Sequence, residues 1–204
     1  MTDQPNDDGP SSIDERRRVP DLVPISDGTI TLRPWADSDT EFVARACRDP
    51  EIPRWTMVPD EMNETQALDW VRRFRDLPRL DRAAPFAIIR TTTDEPLGSV
   101  GVADFDWHEG IGHVFYWLAA DARGHGFATR AVRLISDWSF RTLELARLEL
   151  CAHPDNLASQ AVAVRAGYTR EGVLRSAMVV KGARWDVVLF SLLPGDRFAT
   201  PGGP

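Results

Sequence analysis

The sequence predicts a mixed α/β domain, a central sheet with helices packed on it. Three observations carry this. Short apolar runs with a two-residue alternation recur along the chain, as half-buried strands require. Longer stretches between them repeat apolar residues at helical spacing. The order runs strand, two helices, more strands, then helix, strand, helix and a closing strand pair. That order interleaves both element types around one sheet.

TITLRPW (29 to 35) sets Ile30, Leu32 and Pro34 against Thr29, Thr31 and Arg33 and reads as the first strand. Asp37 or Ser38 is placed to cap a helix over DTEFVARACRDP, which Pro50 stops. A second helix starts near Asn63 and Glu64 and runs to Pro78, with Ala67, Leu68, Val71 and Phe74 inward. PFAIIRTTTDEPLGSVGVADFDW gives two strands joined by a turn at Asp94 to Pro96, and HVFYWLAA follows a turn at His108 to Gly110. From Gly126 to Thr142 a helix buries Phe127, Ala131, Leu134, Ile135 and Trp138. ARLELCAH is the next strand. A short helix over 157 to 166 offers Ala158, Ala161, Val162, Val164 and Ala166 as apolar positions and ends at Gly167. EGVLRSAMVV and WDVVLFSLL close the domain as a hairpin around Lys181 to Arg184.

The chain has 204 residues, 43% of them hydrophobic, enough for one core and too few for two comfortable domains. Residues 1 to 24 read as a disordered tail, 25 to 195 as the domain, and 196 to 204 as a flexible end rich in Gly and Pro. A net charge of −7 argues against a nucleic-acid partner. Two cysteines, Cys47 and Cys151, give no disulfide framework and fit a reducing cytoplasm. Neither a signal-type leader nor a run of membrane-spanning length occurs, so no membrane partner is expected.

Residues 123 to 129 read RGHGFAT between an apolar strand and an amphipathic helix. Gly124 and Gly126 let the backbone approach a ligand closely. The unpaired amides at the helix start then suit an anion such as a pyrophosphate. A dinucleotide fingerprint would need Gly where Thr129 stands, and the Gly-Lys-Ser/Thr ending of a nucleotide-triphosphate loop is missing. Arg123-x-x-Gly126-x-Ala128 resembles instead the acyl-CoA pyrophosphate loop of the GNAT acyltransferase superfamily. Residues 156 to 168 read NLASQAVAVRAGY, and TREGVLRSA follows. Asn156, Ser159, Arg165 and the later Glu171 and Gly172 resemble the signature of the RimJ/RimL type within that superfamily. The resemblance spans residues 28 to 193.

It implies a GNAT-like fold: a mostly antiparallel, twisted sheet whose middle strands splay apart, flanked by helices. It implies acetyl-CoA as acyl-donor substrate. The strand backbone of Tyr116, Trp117 and Leu118 would pair with pantetheine. Arg123, Gly124, His125, Gly126, Phe127, Ala128 and Thr129 would cradle the diphosphate, with Asn156, Ser159 and Arg165 completing the donor site. Charge-assisted contacts from Arg123 or Arg165 would strengthen it.

Many members of the superfamily place a Tyr seven residues after the Asn to protonate the leaving thiolate. Ala163 stands there, so that role does not transfer. The RimL-like alternative is the Ser three residues after the Asn, making Ser159 the candidate thiol partner and acid. The competing role for Ser159 is a helix residue bonded to nearby backbone. The RimL-like base position holds Met178, and the Glu used by some N-terminal acetyltransferases falls at Cys151. The remaining base candidates are Asp104 and Asp106, which share a face by strand parity, together with His113, Glu149 and His153. Asp104 is taken first.

His108, His113, His125 and His153 show no paired ligand spacing, so no metal is expected. Cys151 reads as an inert thiol, the arginines of the second helix as a solvated face, and Trp55 as a wall of an acceptor pocket. The expected activity is transfer of an acetyl group from acetyl-CoA directly to a primary amine, either a protein N-terminal α-amine or a small molecule. A catalytically silent acyl-CoA sensor, or use of another donor such as succinyl-CoA, stays open. Edge strands of the terminal hairpin are available for pairing in a homodimer.

Overall fold

Ile30 and Leu32 are fully buried while Thr31 and Arg33 are half-exposed. This alternation defines strand β2 (Ile30–Arg33), which follows the short β1 (Ile25–Ser26). Both belong to a computed structural model that describes residues 18–196. The sheet has eight strands in the order β1-β2-β3-β4-β5-β6-β8-β7. Its remaining strands are β3 (Ala83–Arg90), β4 (Glu95–Asp106), β5 (Ile111–Leu118), β6 (Arg147–Ala152), β7 (Thr169–Val180) and β8 (Ala183–Leu192). Every neighbouring pair is antiparallel except β5 and β6.

Two cores cover the two faces. Helices α4 (Phe127–Thr142) and α5 (Leu157–Ala166) pack Phe127, Ala131, Ile135, Trp138, Val162 and Ala163 onto one of them. Helices α1 (Thr40–Ala46), α2 (Glu51–Trp55) and α3 (Glu64–Asp76) pack on the other with Phe42, Val43, Ile52, Ala67 and Val71. β3 feeds both: Phe86 and Ile88 point to the first core, Ala87 and Ile89 to the second. Burial on both faces explains why this strand reads as an unbroken apolar run. Each large aliphatic or aromatic side chain so enclosed stabilises the fold by about 1.5–3 kcal/mol.

Several local expectations are corrected. Neither Asp37 nor Ser38 caps α1. The carboxylate of Asp37 is drawn across to Arg72 and Arg75 of α3, at 2.8 Å each. Asp39 occupies the cap position, where it accepts from Ala36 N–H and from both terminal nitrogens of Arg33. Pro50 does not simply stop a helix: its φ of −62° suits a helix start, and α2 begins beside it. α5 buries Val162, Ala163 and Ala166, whereas Val164 and Ala158 face out. Ordered contacts start before residue 25, since Val19 is buried and its N–H donates to Asp81 Oδ1 at 2.9 Å. The rest of the expected leader (1 to 17) and the end from 197 lie outside the described residues.

Candidate active site

The last rung joining β5 to β6 is His113 opposite Glu149. Beyond it the two strands diverge. Val114 to Leu118 remain paired to β4 alone, and Leu150 to Ala152 to β8 alone. Tyr116, Trp117 and Leu118 thus expose one backbone edge to a cavity of about 2030 Å³ between the strands. A single drug-sized ligand needs at most about 1,000 Å³. This volume fits two substrates meeting.

One end of the cavity is the cradle. Gly124 and Gly126 both hold φ at +80°, a conformation side chains resist, and an added Cβ at either would meet no atom within 4 Å. Gly126 is the N-cap of α4 and no side chain caps that helix. The first helical bond is Arg130 N–H to Gly126 O at 3.1 Å. The amides of Phe127, Ala128 and Thr129 therefore have no partner among the described residues. Phe127 and Ala128 are buried, so they offer the cavity backbone rather than side chain. His125 lies exposed, stacked on Phe127 at 5.8 Å.

Arg123 is already engaged. Its guanidinium donates to Leu118 O at 3.0 and 3.2 Å and pairs with Asp49. It braces the end of β5, and it takes a carbonyl that the strand edge would otherwise present. Arg165 is exposed at the cavity wall, and its guanidinium has no ion pair among the described residues. It is the better placed of the two for an anion.

The other wall is α5. Asn156 Oδ1 accepts Ser159 N–H at 3.0 Å, which fixes the helix start. Ser159 Oγ accepts a hydrogen bond from the Tyr116 phenol, 3.0 Å away across the splay. Burial pushes that phenol up to about 12, against the opposing effect of the Ser159 hydrogen bond. Ala163 is fully buried, and this packing explains a small residue there.

At the fork, His113 Nδ1 lies 3.7 Å from Glu149 Oε2, and Arg147 Nε donates to Glu149 Oε1 at 2.7 Å. Asp104 lines the cavity but does not share a face with Asp106. A register shift between Ala103 and Asp106, with φ of +51° at Asp104, breaks the alternation. Asp106 Oδ1 instead accepts Glu109 N–H and closes the turn. Cys151 lines the cavity with its thiol pushed up to about 11, chiefly by burial. His153 Nδ1 accepts from Asp155 N–H, and its ring packs against Trp55 and Trp185 at 5.4 and 4.9 Å. Trp55, His153 and Trp185 line the same cavity. Sequence patterns gave no sign of Trp185, of α2 or of the Tyr116 contact. Each depends on which distant segments meet.

Among the described residues no three His, Cys, Asp or Glu converge as metal ligands, and no helix is long and apolar enough to cross a membrane.

A mostly antiparallel sheet split at one parallel pair, with an amide cradle beside the split, defines a class of group-transfer enzyme. The chain belongs to the GNAT acetyltransferase family, whose domain model matches residues 29–169. It is 32% identical over 164 residues to p20, an uncharacterized N-acetyltransferase of Bacillus licheniformis, covering 80% of this chain and 92% of that one. The fold resembles that of Mycobacterium smegmatis RimJ in complex with CoA-disulfide, with a TM-score of 0.72, 25% identity, and 81% and 82% of the chains covered. It also resembles the ribosomal-protein-S5-alanine acetyltransferase of Vibrio fischeri, with a TM-score of 0.71, 23% identity, and 86% and 98% covered. The protein is an N-acetyltransferase of RimJ/RimL-like structure.

Proposed function

We propose that the protein moves an acetyl group from acetyl-CoA to a primary amine by direct transfer in a ternary complex. One observation carries the reading: a single cavity joins the amide cradle, the free edge of β5 and the His113–Glu149 fork. The cradle suits a diphosphate, and Arg165, without an ion pair among the described residues, adds a cation to the same cavity. The edge at Tyr116 and Trp117, short of the Leu118 carbonyl that Arg123 holds, suits an amide-bearing arm laid along it as an extra strand.

His113 is the base, with Glu149 holding a negative charge behind it. An α-amino group, with pKa of about 7.7–8.0, needs little help at neutral pH, whereas a lysine near 10.4 needs more. Protein N-terminal α-amines are therefore the first acceptors to try. The Vibrio fischeri enzyme is by name a ribosomal-protein-S5-alanine acetyltransferase, which points to a protein acceptor. Small-molecule amines follow. Asp104, exposed on the cavity wall, adds negative charge for a cationic acceptor. Direct transfer is favoured over an acyl-enzyme because Cys151, the cysteine in the cavity, is held as the neutral thiol, which is a poor nucleophile.

The test is release of free CoA thiol from acetyl-CoA in the presence of peptide and small-molecule amines. Acetylated product with one or more of them supports the reading. Saturable donor binding with no thiol released across the panel would overturn it.

A further inference from the structure

The Ser159 hydroxyl is bonded unlike the other helical serines of this protein. In α4, Ser136 and Ser139 each donate to the carbonyl one turn back, Val132 at 2.6 Å and Ile135 at 2.8 Å. Serines inside helices commonly discharge their proton this way. Ser159 lacks that outlet. The carbonyl four residues before it belongs to Asp155, ahead of the helix, and already accepts from Leu157 N–H at 3.0 Å. Its oxygen accepts from Tyr116, and its own proton goes to no group among the described residues. Both side chains line the cavity.

A hydroxyl oxygen that accepts one hydrogen bond has its remaining donor direction confined. The donor here is anchored at both ends. Tyr116 sits mid-strand on β5, opposite Val100 of β4. Ser159 sits in the first turn of a helix capped by Asn156. The two backbones are thereby held in place on either side of the hydrogen bond.

We propose that Tyr116 is a positioning residue for thiol departure: its phenol proton holds Ser159 Oγ so that the Ser159 proton is aimed into the cavity, at the sulfur of the bound thioester. The inference rests on the acyl-transfer reading above. The amine nitrogen bonds to the carbonyl carbon, and the C–S bond breaks with its electron pair leaving on sulfur. The Ser159 proton passes to that sulfur, and the amine proton passes to His113. Ser159 regains a proton from cavity water and His113 releases one to solvent. Tyr116 keeps its own proton throughout. Its hydrogen bond stabilises the negative charge that grows on Ser159 Oγ as the proton leaves. The raised phenol pKa keeps this donor intact at neutral pH.

The test compares wild type, Tyr116→Phe, Ser159→Ala and the double variant in steady-state thiol release, with acetyl-CoA affinity from calorimetry and folding from thermal melts. Tyr116→Phe keeps the ring and removes only the hydroxyl. Its kcat should fall about tenfold, with acetyl-CoA Kd and acceptor KM held within about twofold. The double variant should be no slower than Ser159→Ala, because the phenol acts only through that serine. An unchanged kcat in Tyr116→Phe would overturn the proposal, and so would losses that multiply in the double variant. A loss in donor affinity at constant kcat would assign Tyr116 to binding and overturn it too. A folded wild type that binds acetyl-CoA but releases no thiol would overturn the transfer reading, and this inference with it.

Discussion

Lys181 reaches Asp60 from 121 positions away along the chain. Its Nζ donates to Asp60 Oδ1 at 2.7 Å and to Pro53 O at 2.8 Å. Lys181 lies in the turn of the β7–β8 hairpin, and Pro53 lies in α2. The contact therefore ties together the two segments that supply Trp185 and Trp55, whose rings meet at 6.3 Å. Asp60 is largely exposed, so the ion pair itself contributes little, about 0.2–1 kcal/mol. Its effect is on position. Lys181→Ala should raise the acceptor KM by up to about fivefold, with acetyl-CoA Kd unchanged. Parallel titrations of both substrates check this. A matching loss of donor affinity would show that the contact organises the whole cavity and not this wall.

Gly124 and Gly126 separate folding from donor binding. A methyl group at either position strikes nothing, so the unliganded protein bears only the backbone cost of φ near +80°, about 1 kcal/mol. A chain of this size should then melt about 2–4 °C lower. The same methyl stands where the diphosphate must approach the amides of α4. Gly126→Ala should weaken acetyl-CoA at least about tenfold by calorimetry. Undiminished affinity would remove the cradle from donor recognition.

His113 and Glu149 should lose activity unequally. His113 faces the cavity, and Glu149 shares its carboxylate between His113 and Arg147. Removing a general base costs about 100-fold or more, which is expected of His113→Gln in kcat/KM. Glu149→Gln keeps the imidazole and should cost about tenfold in kcat/KM. Two variants as active as wild type would pass the base role to Asp104.

Much of this site is written in local sequence. Ile30 and Leu32 reveal a strand by alternation, and Gly124 and Gly126 reveal a turn because only glycine sits easily at their φ. Asn156, Ser159 and Gly167 mark the two ends of α5 for the same local reasons. Contacts set by the tertiary fold stayed hidden. Tyr116 and Ser159 are 43 positions apart, and Lys181 and Pro53 are 128. No periodicity reports such meetings. Parity failed at Asp104 and Asp106 because one irregular residue shifts everything after it to the other face. Asp37 fails as a cap because Arg72 and Arg75 draw its carboxylate toward another helix.

Glu171, the acidic residue of the Glu-Gly signature, has a structural use here. Both of its oxygens take Arg147, at 2.6 and 2.9 Å, and Ser191 Oγ donates to it at 2.6 Å. One carboxylate thereby links β6, β7 and β8 on the far side of the splay. The Arg147 hydrogen bonds, with help from Ser191, hold its pKa at about 2, against an ordinary 4.5. The folded state therefore binds fewer protons than the unfolded chain between those values. The stabilisation is fully present above about pH 4.5 and is lost as pH falls toward 2. Glu171→Gln should be less stable than wild type at pH 7, with the gap closing progressively below pH 4.5. Urea unfolding of both proteins in steps from pH 7 to pH 3 measures it. A gap that stays constant as pH falls would mean that the variant suffers from lost packing and that the ionised carboxylate contributes nothing.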